Sequence, residues 1–380
     1  MIKLPNLRNA DVKGKRVFLR LDLDVPLTQH LTIADDTRLK DSLETLNFLL
    51  ENGATVIIGG HLGRPDHKFK SQKSKFKIEE NKFSLKPVAQ WFGKEFKIEN
   101  LKLKIENFEG LRGWRITDSL FLLENLRFDP GEEANPSTSP LTMSSGLNDS
   151  GQVFAKKLAS LADIYVNDAF ASSHRAHASI VGTAKLLPHF AGLQLAREIE
   201  TLSYLLENPK RPLVVIIGGA KIETKLPLVS KMHKFADYVL VGGKIAEETR
   251  VLLKVQHEKV ENRKSALLVA DLNNEQTDVT PKDVENFVQI VNLSQTVVWN
   301  GPIGVTEGKE GNYEIASYKL AKGIIDVGAY SVVGGGDTIG YLKKVGLLNK
   351  FSFVSTGGGA MLEFLSGENL PGIEALIEKS

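Results

Sequence analysis

The sequence predicts an α/β protein with two domains, each built around a parallel β-sheet. Strand-like and helix-like patterns alternate along almost the whole chain, as expected for βαβ units. The length of 380 residues is too great for one domain of ordinary size. The strand-like runs end in charged residues in the first half and in glycine in the second half. Since parallel sheets bind ligands beyond the carboxyl ends of their strands, the two halves should carry different sites.

Composition excludes several classes of protein. The chain is 42% apolar and 25% charged, as in globular proteins, and its net charge of +2 lacks the basic excess of most nucleic-acid-binding proteins. The absence of cysteine excludes disulfides, iron–sulfur clusters and thiol catalysis. The start, MIKLPNLRNADVKGKR, has no signal-peptide core, and no run approaches the ~20 apolar residues of a membrane span. We therefore expect a cytoplasmic protein that binds neither membrane nor nucleic acid.

In the first half, apolar periodicity predicts helices and strands in alternation. Thr37–Asn52 places Leu39, Leu43, Leu46 and Leu50 on one helical face, and Gly53 follows as a stop signal. The other predicted elements are strands at Arg16–Leu21, Ala54–Ile58 and Ile164–Val166, and helices from Ser84 through Trp91 and over Gln152–Leu161. Residues 67–82 and 134–150 are predicted to be loops, the first rich in lysine and the second in Ser, Thr, Pro and Asn.

In the second half, five strand-like runs end in glycine. Leu193–Asn208, a long helix closed by Pro209, is expected to join the two halves. The runs that follow it are VVIIGGAK, VLVGGK, VVWNGP, SVVGGGDT and FVSTGGGA. The predicted limits are an N-terminal domain over 1–190, the joining helix over 191–208, a C-terminal domain over 209–365 and a tail over 366–380.

Arginine and histidine follow successive strand-like runs of the first half. HLGRP places His61 and Arg64 after two glycines, Arg127 follows FLLENL, and HRAH contributes Arg175. One such residue is usually an ordinary surface residue, but several at one sheet edge should converge. Because the planar guanidinium group suits phosphate and carboxylate, this edge is predicted to bind a small anion.

The glycine-rich strand ends of the second half are suited to phosphate. No Walker A motif and no protein-kinase HRD or DFG signature is present, and GGGDTIG misses the dinucleotide fingerprint. Asp337 and Thr338 begin a helix after a glycine turn, where amides favour phosphate and the carboxylate can hold Mg²⁺. Lys221 and Lys225 are spaced one helical turn apart after another glycine pair. An anion site and a nucleotide site on separate domains predict a two-domain kinase.

The ordered set of motifs resembles phosphoglycerate kinase. It consists of RLDLDVP, Arg38, HLGRP, LLENLRF, YVNDAF with HRAH, GGAK, WNGP, GGGDT and STGGGA. The resemblance implies two Rossmann-like parallel-sheet domains joined by a hinge helix. It also implies a cytoplasmic monomer that closes about this hinge and reversibly transfers phosphate between 1,3-bisphosphoglycerate and Mg-ADP, giving 3-phosphoglycerate and Mg-ATP.

The resemblance also implies which residues bind the substrates. Arg38 and Lys221 would be catalytic, and Asp337 would hold Mg²⁺. The residues expected to bind 3-phosphoglycerate are Asp22, Asp24, Arg38, His61, Arg64, Arg127 and Arg175. The residues expected to bind ATP or ADP are Lys221, Lys225, Asn300, Glu307, Gly335, Gly336, Asp337 and Thr338.

The chain departs from the family pattern at several positions. Asp24 stands where the family has Asn, which places a negative charge beside an anionic substrate. The stretch 239–283 is shorter than its family equivalent, and Lys244, Thr280 and Thr306 replace the usual residues near the adenosine pocket. A catalytically weak relative that only binds nucleotide or anion is therefore one alternative. An NAD-dependent dehydrogenase is another, although the failed dinucleotide fingerprint argues against it.

Overall fold

The computed structural model describes residues 2–66, 80–98, 103–134, 149–219, 229, 231–232, 234–256, 266–306 and 315–377, with backbone only at 149 and 252–256. These residues form two compact units. The N-terminal unit contains residues 2–200 and 369–377, and the C-terminal unit contains residues 201–368. Within the described residues, no helix has both the length and the apolar character needed to cross a membrane. The predicted domain limits, including the 366–380 tail, stay predictions.

The sheet of the N-terminal unit has seven strands within the described residues. They are β1 (Arg16–Leu21), β2 (Thr55–Gly59), β3 (Ile105–Phe108), β4 (Leu111–Thr117), β5 (Leu120–Leu123), β6 (Ile164–Asp168) and β7 (His189–Ala191). Their order is β3-β4-β5-β2-β1-β6-β7, and the five strands from β5 to β7 run parallel. The predicted parallel α/β fold is therefore confirmed for the part of this unit that carries the charged strand ends.

The β3–β4–β5 edge of this sheet differs from the parallel sheet predicted from the sequence. β3, β4 and β5 are connected antiparallel, and β3 and β4 were not predicted from the sequence. The burial of β3 alternates between exposed and half-buried residues, whereas β1 is buried from Val17 to Leu21. Half-exposed edge strands lack the continuous apolar run that marks a central parallel strand, so their sequence signal is weak.

Helices cover the N-terminal sheet. They are α1 (Thr37–Asp41), α2 (Leu43–Glu51), α3 (Lys86–Glu95) and α4 (Asp149–Ser160). The helix predicted over Thr37–Asn52 is divided at Ser42, whose hydroxyl donates to the Leu39 carbonyl at 2.7 Å and competes with the helical hydrogen bonds. Leu39 and Leu46 are buried in the core as expected, together with Leu49.

The sheet of the C-terminal unit has six parallel strands within the described residues. They are β8 (Leu213–Ile217), β9 (Tyr238–Val241), β10 (Ala266–Val269), β11 (Thr296–Asn300), β12 (Tyr330–Gly334) and β13 (Phe353–Ser355). The order is β10-β9-β8-β11-β12-β13. β8 and β11 are buried along their whole length, because helices cover both faces of the sheet.

Further helices follow β7 in the chain, and the last of those within the described residues lies in the N-terminal unit. They are α5 (Leu193–Glu207), α6 (Ile245–Gln256), α7 (Pro281–Val291), α8 (Ile315–Val327), α9 (Gly336–Lys344), α10 (Gly358–Leu365) and α11 (Pro371–Glu374). α5 confirms the helix predicted over Leu193–Asn208, and the limit between the two units falls inside it, after Glu200. It begins where Thr45 Oγ1 and Asp168 Oδ1 accept the amide hydrogens of Leu193 and Leu195, each at 2.9 Å.

Candidate functional site

The carboxyl ends of three adjacent strands carry the charged residues of the N-terminal unit. β2, β1 and β6 are neighbours in the sheet. In the chain, His61 follows β2, Asp22 follows β1 and Arg175 follows β6. Arg127 lies in a short 3₁₀ turn, Leu126–Phe128, after β5, rather than directly at a strand end. Parallel strands share one edge, so these segments lie together as the sequence predicts.

Arg20 is a buried residue at the centre of this cluster. Its Nε donates to Ser179 Oγ at 2.9 Å, and its Nη2 lies 3.1 Å from His61 Nδ1. Because a guanidinium group can only donate, His61 Nδ1 accepts, and a neutral His61 carries its proton on Nε2. That Nε2 lies 3.9 Å from Asp24 Oδ2.

The surroundings of His61 disfavour its protonation. Burial, followed by electrostatic contributions from Arg20, Arg127, His177 and Arg175, lowers the pKa of His61 well below its usual value. His61 is therefore a neutral hydrogen-bonding group near pH 7, and the positive charge of the cluster resides mainly on its arginines.

The guanidinium group of Arg127 is buried with part of its hydrogen-bonding capacity unused. The residue is only 1% exposed, and its Nη1 donates to the Gly63 carbonyl at 2.6 Å. Nη2 has no hydrogen-bond partner among the described residues. Burial lowers the pKa of Arg127 to about 10 while Glu133 opposes that shift, so the group stays charged at neutral pH. A buried, partly unsatisfied cation of this kind fits an anionic ligand.

The two aspartates after β1 are held differently. Both oxygens of Asp22 accept hydrogen bonds at 2.6 Å, from the Ala171 amide and from Ser172 Oγ, so Asp22 fixes the segment before HRAH. Asp24 Oδ1 accepts from the Gly63 amide at 2.8 Å, and its side chain is 44% exposed. Asp24 also receives a hydrogen bond from Arg38 at its backbone carbonyl.

The other predicted anion-binding residues differ in burial. Arg64 is exposed, whereas Arg38 on α1 and Arg175 are half-buried. Arg175 Nε lies 3.1 Å from His174 Nε2. Burial, with a contribution from the charge of Arg175, lowers the pKa of His174 to about 4, so His174 is neutral at pH 7.

Two acidic residues of this cluster were missed in the sequence. Glu132 is fully buried and accepts from the amide and hydroxyl of Ser179 at 3.0 and 2.5 Å. Burial raises the pKa of Glu132, but His177, Arg20 and Ser179 together outweigh it and hold that pKa below its usual value. Glu133 Oε1 lies 2.7 Å from Arg127 Nε. The adjacent glutamates in DPGEEAN, five and six residues after Arg127, were the available signal.

In the C-terminal unit, the beginnings of two helices lie side by side. α9 begins after β12 at Gly335, whose φ of +95° favours glycine, and α10 begins after β13 at Gly357. A Cβ added at Gly358 would lie 2.4 Å from the Cα of Gly335, which shows how closely the two turns approach. Added Cβ atoms at Gly336 and Gly359 would meet nothing within 4 Å. Two helix N-termini with open space beside them suit a phosphate chain.

The polar side chains predicted here have different surroundings. Asn300 is buried and donates to the Gly358 carbonyl at 3.0 Å, and the buried Thr338 Oγ1 accepts from the Gly301 amide at 2.8 Å. Both side chains therefore join the strand ends to the two helix starts. Asp337 is exposed at the first turn of α9.

A magnesium ion fits this donor set only together with a nucleotide. No cluster of three or more His, Cys, Asp or Glu side chains suited to a metal is found among the described residues. Mg²⁺ is commonly held by one or two carboxylates plus substrate phosphates, and Asp337 next to the phosphate-binding turns meets that requirement.

Three predicted nucleotide contacts, Lys221, Lys225 and Glu307, lie outside the described residues. Lys244, Thr280 and Thr306, which depart from the family pattern, lie within the described residues. Thr280 caps α7, because its Oγ1 accepts from the Asp283 amide at 3.3 Å and donates to Asp283 Oδ2 at 2.7 Å. Lys244 is exposed and precedes α6.

A buried arginine and histidine cluster at the parallel strands of one sheet and paired helix N-termini on the other sheet define a two-domain α/β phosphotransferase. The comparisons with known proteins narrow this class. The family model described as "Phosphoglycerate kinase" matches residues 7–267 and 249–368. The chain belongs to the phosphoglycerate kinase family.

Individual relatives match along their whole length. A phosphoglycerate kinase of Leptospira biflexa is 35% identical over 426 residues, covering 100% of this chain and 99% of that protein. A relative named "Phosphoglycerate kinase, cytosolic" from Nicotiana tabacum is 35% identical over 418 residues, covering 98% of this chain and 97% of that protein. The solved phosphoglycerate kinase of Coxiella burnetii has a TM-score of 0.74 at 32% identity, covering 98% of this chain and 99% of that chain.

Proposed function

We propose that the protein catalyses reversible phosphoryl transfer between 1,3-bisphosphoglycerate and Mg-ADP, giving 3-phosphoglycerate and Mg-ATP. The observation that carries this function is full-length membership of the phosphoglycerate kinase family. The buried Arg20, His61 and Arg127 cluster and the paired starts of α9 and α10 support it, since they suit an acidic substrate and a phosphate chain.

The chemistry requires positioning rather than a strong base. In the ATP-consuming direction the nucleophile is the carboxylate of 3-phosphoglycerate, which is ionised at pH 7 because its pKa is near ~4. The lowered pKa of His61 makes it a weak base, which agrees with a reaction in which no proton has to be removed. The remaining task is to align the two oxygens and neutralise charge on the transferring group.

We assign that task to named groups of the chain. Arg127 and Arg175, with Arg64, would hold the acidic substrate, and Arg38 with Lys221 would offset charge at the reacting oxygens. The amides at the starts of α9 and α10 would bind the nucleotide phosphates. Bound Mg²⁺, held by Asp337 and the phosphates, would supply further positive charge. Lys225, Asn300 and Glu307 would complete the nucleotide site.

Transfer also requires the two substrates to meet. They are assigned to different units of the chain, so we propose that the units close on each other about α5 during the reaction. X-ray scattering with and without both substrates tests this, since closure should reduce the radius of gyration. A monomer in the cytoplasm stays our prediction, and the name of the tobacco relative supports that compartment.

Nucleotide preference is the finer part of the proposal. The alignment with the Leptospira protein spans 426 positions against the 380 residues of this chain, so at least 46 of its positions lie opposite gaps in this chain. The family model is matched in two segments that overlap within 249–267, inside the stretch predicted to be shortened. The break in the family match is the observation that supports a shortened stretch there, and with it an altered adenosine pocket.

A coupled assay with 3-phosphoglycerate, Mg²⁺ and a panel of ATP, GTP and other triphosphates tests the function and the preference together. Turnover with at least one triphosphate is expected. Tight ADP binding without turnover would instead favour the alternative of a nucleotide-binding relative, which no finding on the described residues supports. Family membership excludes the dehydrogenase alternative.

A further inference from the structure

Two consecutive glutamates face the arginine and histidine cluster in different ways. Glu132 is fully buried and held by Ser179, so it forms part of the fixed interior. Glu133 is 41% exposed on its side chain, with Oε1 2.7 Å from Arg127 Nε and 4.0 Å from His177 Nε2. Glu133 is thus a solvent-accessible carboxylate directly against a cation of the proposed substrate site.

The contact between Glu133 and Arg127 is close but poorly directed. Arg127 Nε has no aligned hydrogen bond despite the short distance, and Nη2 has no hydrogen-bond partner among the described residues. Only Nη1 is committed, to the Gly63 carbonyl. The Nε–H and Nη2–H edge of this guanidinium is therefore the part that an incoming anion would use, and Glu133 stands beside it.

We propose that Glu133 is an internal competitor of the substrate at Arg127. Its carboxylate takes the place of an anionic group of 3-phosphoglycerate, and it turns out into solvent when the substrate binds. This inference rests on the proposed function and deepens it, because it names a residue that sets the affinity for the acidic substrate. The exposure of Glu133 makes the movement possible, whereas Glu132 is fixed by its buried hydrogen bonds.

Glu133 also has a second role, as the counter-charge of Arg127 while no substrate is bound. An arginine that is 99% removed from solvent needs a counter-charge, and Glu133 is the first group to oppose the effect of burial on Arg127. The substrate supplies that counter-charge when bound. Glu133 therefore stabilises the folded protein and weakens substrate binding. Removing its charge should lower the stability and raise the affinity for the substrate.

The test is Glu133→Gln, which keeps the shape of the side chain and removes its charge. Titration calorimetry with 3-phosphoglycerate should show binding up to about fivefold tighter than in the unsubstituted protein, the range of a half-exposed ion pair. The gain should shrink at high salt, where such pairs are screened. The melting temperature should fall slightly, and KM for 3-phosphoglycerate should fall with Kd.

Glu106→Gln is the matched control. Glu106 is 40% exposed and pairs with Arg115 at 3.2 Å in the same unit, on the β3–β4 hairpin. Its substitution should leave 3-phosphoglycerate binding unchanged. A Glu133→Gln protein that binds 3-phosphoglycerate equally or more weakly, in an otherwise active enzyme, would overturn this inference alone. An unsubstituted protein that neither binds nor phosphorylates 3-phosphoglycerate would instead overturn the proposed function, and this inference with it.

Discussion

Arg127→Lys tests whether the buried guanidinium group of Arg127 binds the acidic substrate. Lysine keeps the positive charge but replaces the planar fork by a single ammonium group. In the native group Nη1 donates to the Gly63 carbonyl, Nε lies beside the Glu133 carboxylate without an aligned hydrogen bond, and Nη2 has no hydrogen-bond partner among the described residues. One ammonium nitrogen cannot serve Gly63 and a ligand with the same geometry.

The size of the effect follows from the bonds that are lost. A hydrogen bond to a charged group contributes ~1.5–3 kcal/mol, so losing one to the substrate should weaken 3-phosphoglycerate binding about 10- to 150-fold. Leaving the Gly63 carbonyl without its partner should cost a further ~1–3 kcal/mol in the free energy of unfolding. Substrate affinity and stability should therefore both fall.

Titration calorimetry with 3-phosphoglycerate measures the first effect, and urea denaturation measures the second. ADP binding should not change, because Arg127 lies in the N-terminal unit. Arg115→Lys, on an exposed arginine paired with Glu106, is the control for the first effect and should leave 3-phosphoglycerate binding unchanged. A Kd for 3-phosphoglycerate within twofold of the native value in Arg127→Lys would refute the assignment.

The other predictions concern both units. Arg38→Ala should lower kcat by at least ~10²-fold and leave the calorimetric Kd for ADP unchanged, as loss of transition-state charge stabilisation requires; a comparable loss of ADP binding would place this side chain in the nucleotide site. Asp24→Asn should tighten 3-phosphoglycerate binding by removing a like charge, and unchanged or weaker binding in the same titration would refute the repulsion. Gly358→Ala should destabilise the C-terminal unit by ~1–3 kcal/mol and weaken ADP binding, since its Cβ would lie 2.4 Å from the Gly335 Cα; an unchanged melting temperature would contradict this packing. Burial raises the pKa of Asp168 to about 6, above the unfolded value, so the folded state binds this proton more tightly and loses stability as pH rises from about 4 to about 6. Asp168→Asn should therefore raise the free energy of unfolding by up to about 3 kcal/mol at pH 7 and by much less at pH 4, and equal gains at both pH values in urea denaturation would show that ionisation is not the cause.

The central strands and their chemistry could be predicted because their signals are local. β1, β2, β6 and the strands that end in glycine are continuous apolar runs, and their functional residues follow them directly in the chain. The rule that parallel strands share one edge then brings distant residues such as His61 and Arg127 together without further information.

Elements whose form depends on distant neighbours escaped prediction. The half-exposed β3 and β4 form an antiparallel edge, and β10 is a short strand that is at most half-buried. The division of the first helix at Ser42 depends on one hydroxyl bond that competes with helical pairing. None of these features leaves a strong periodic pattern in the sequence.

The sequence by itself determined the fold class, the order of the motifs and the positions of the charged and glycine-rich strand ends, because these depend on residue type and local spacing. Only the tertiary structure decided how the charges are balanced. Glu132 interacts with Arg20 and His177, which are far from it in the sequence, and Glu133 opposes the effect of burial on the nearby Arg127. The neutral state of His61 arises from the same surroundings. Electrostatic free energies depend on distance and on solvent exposure, and the folded chain sets both.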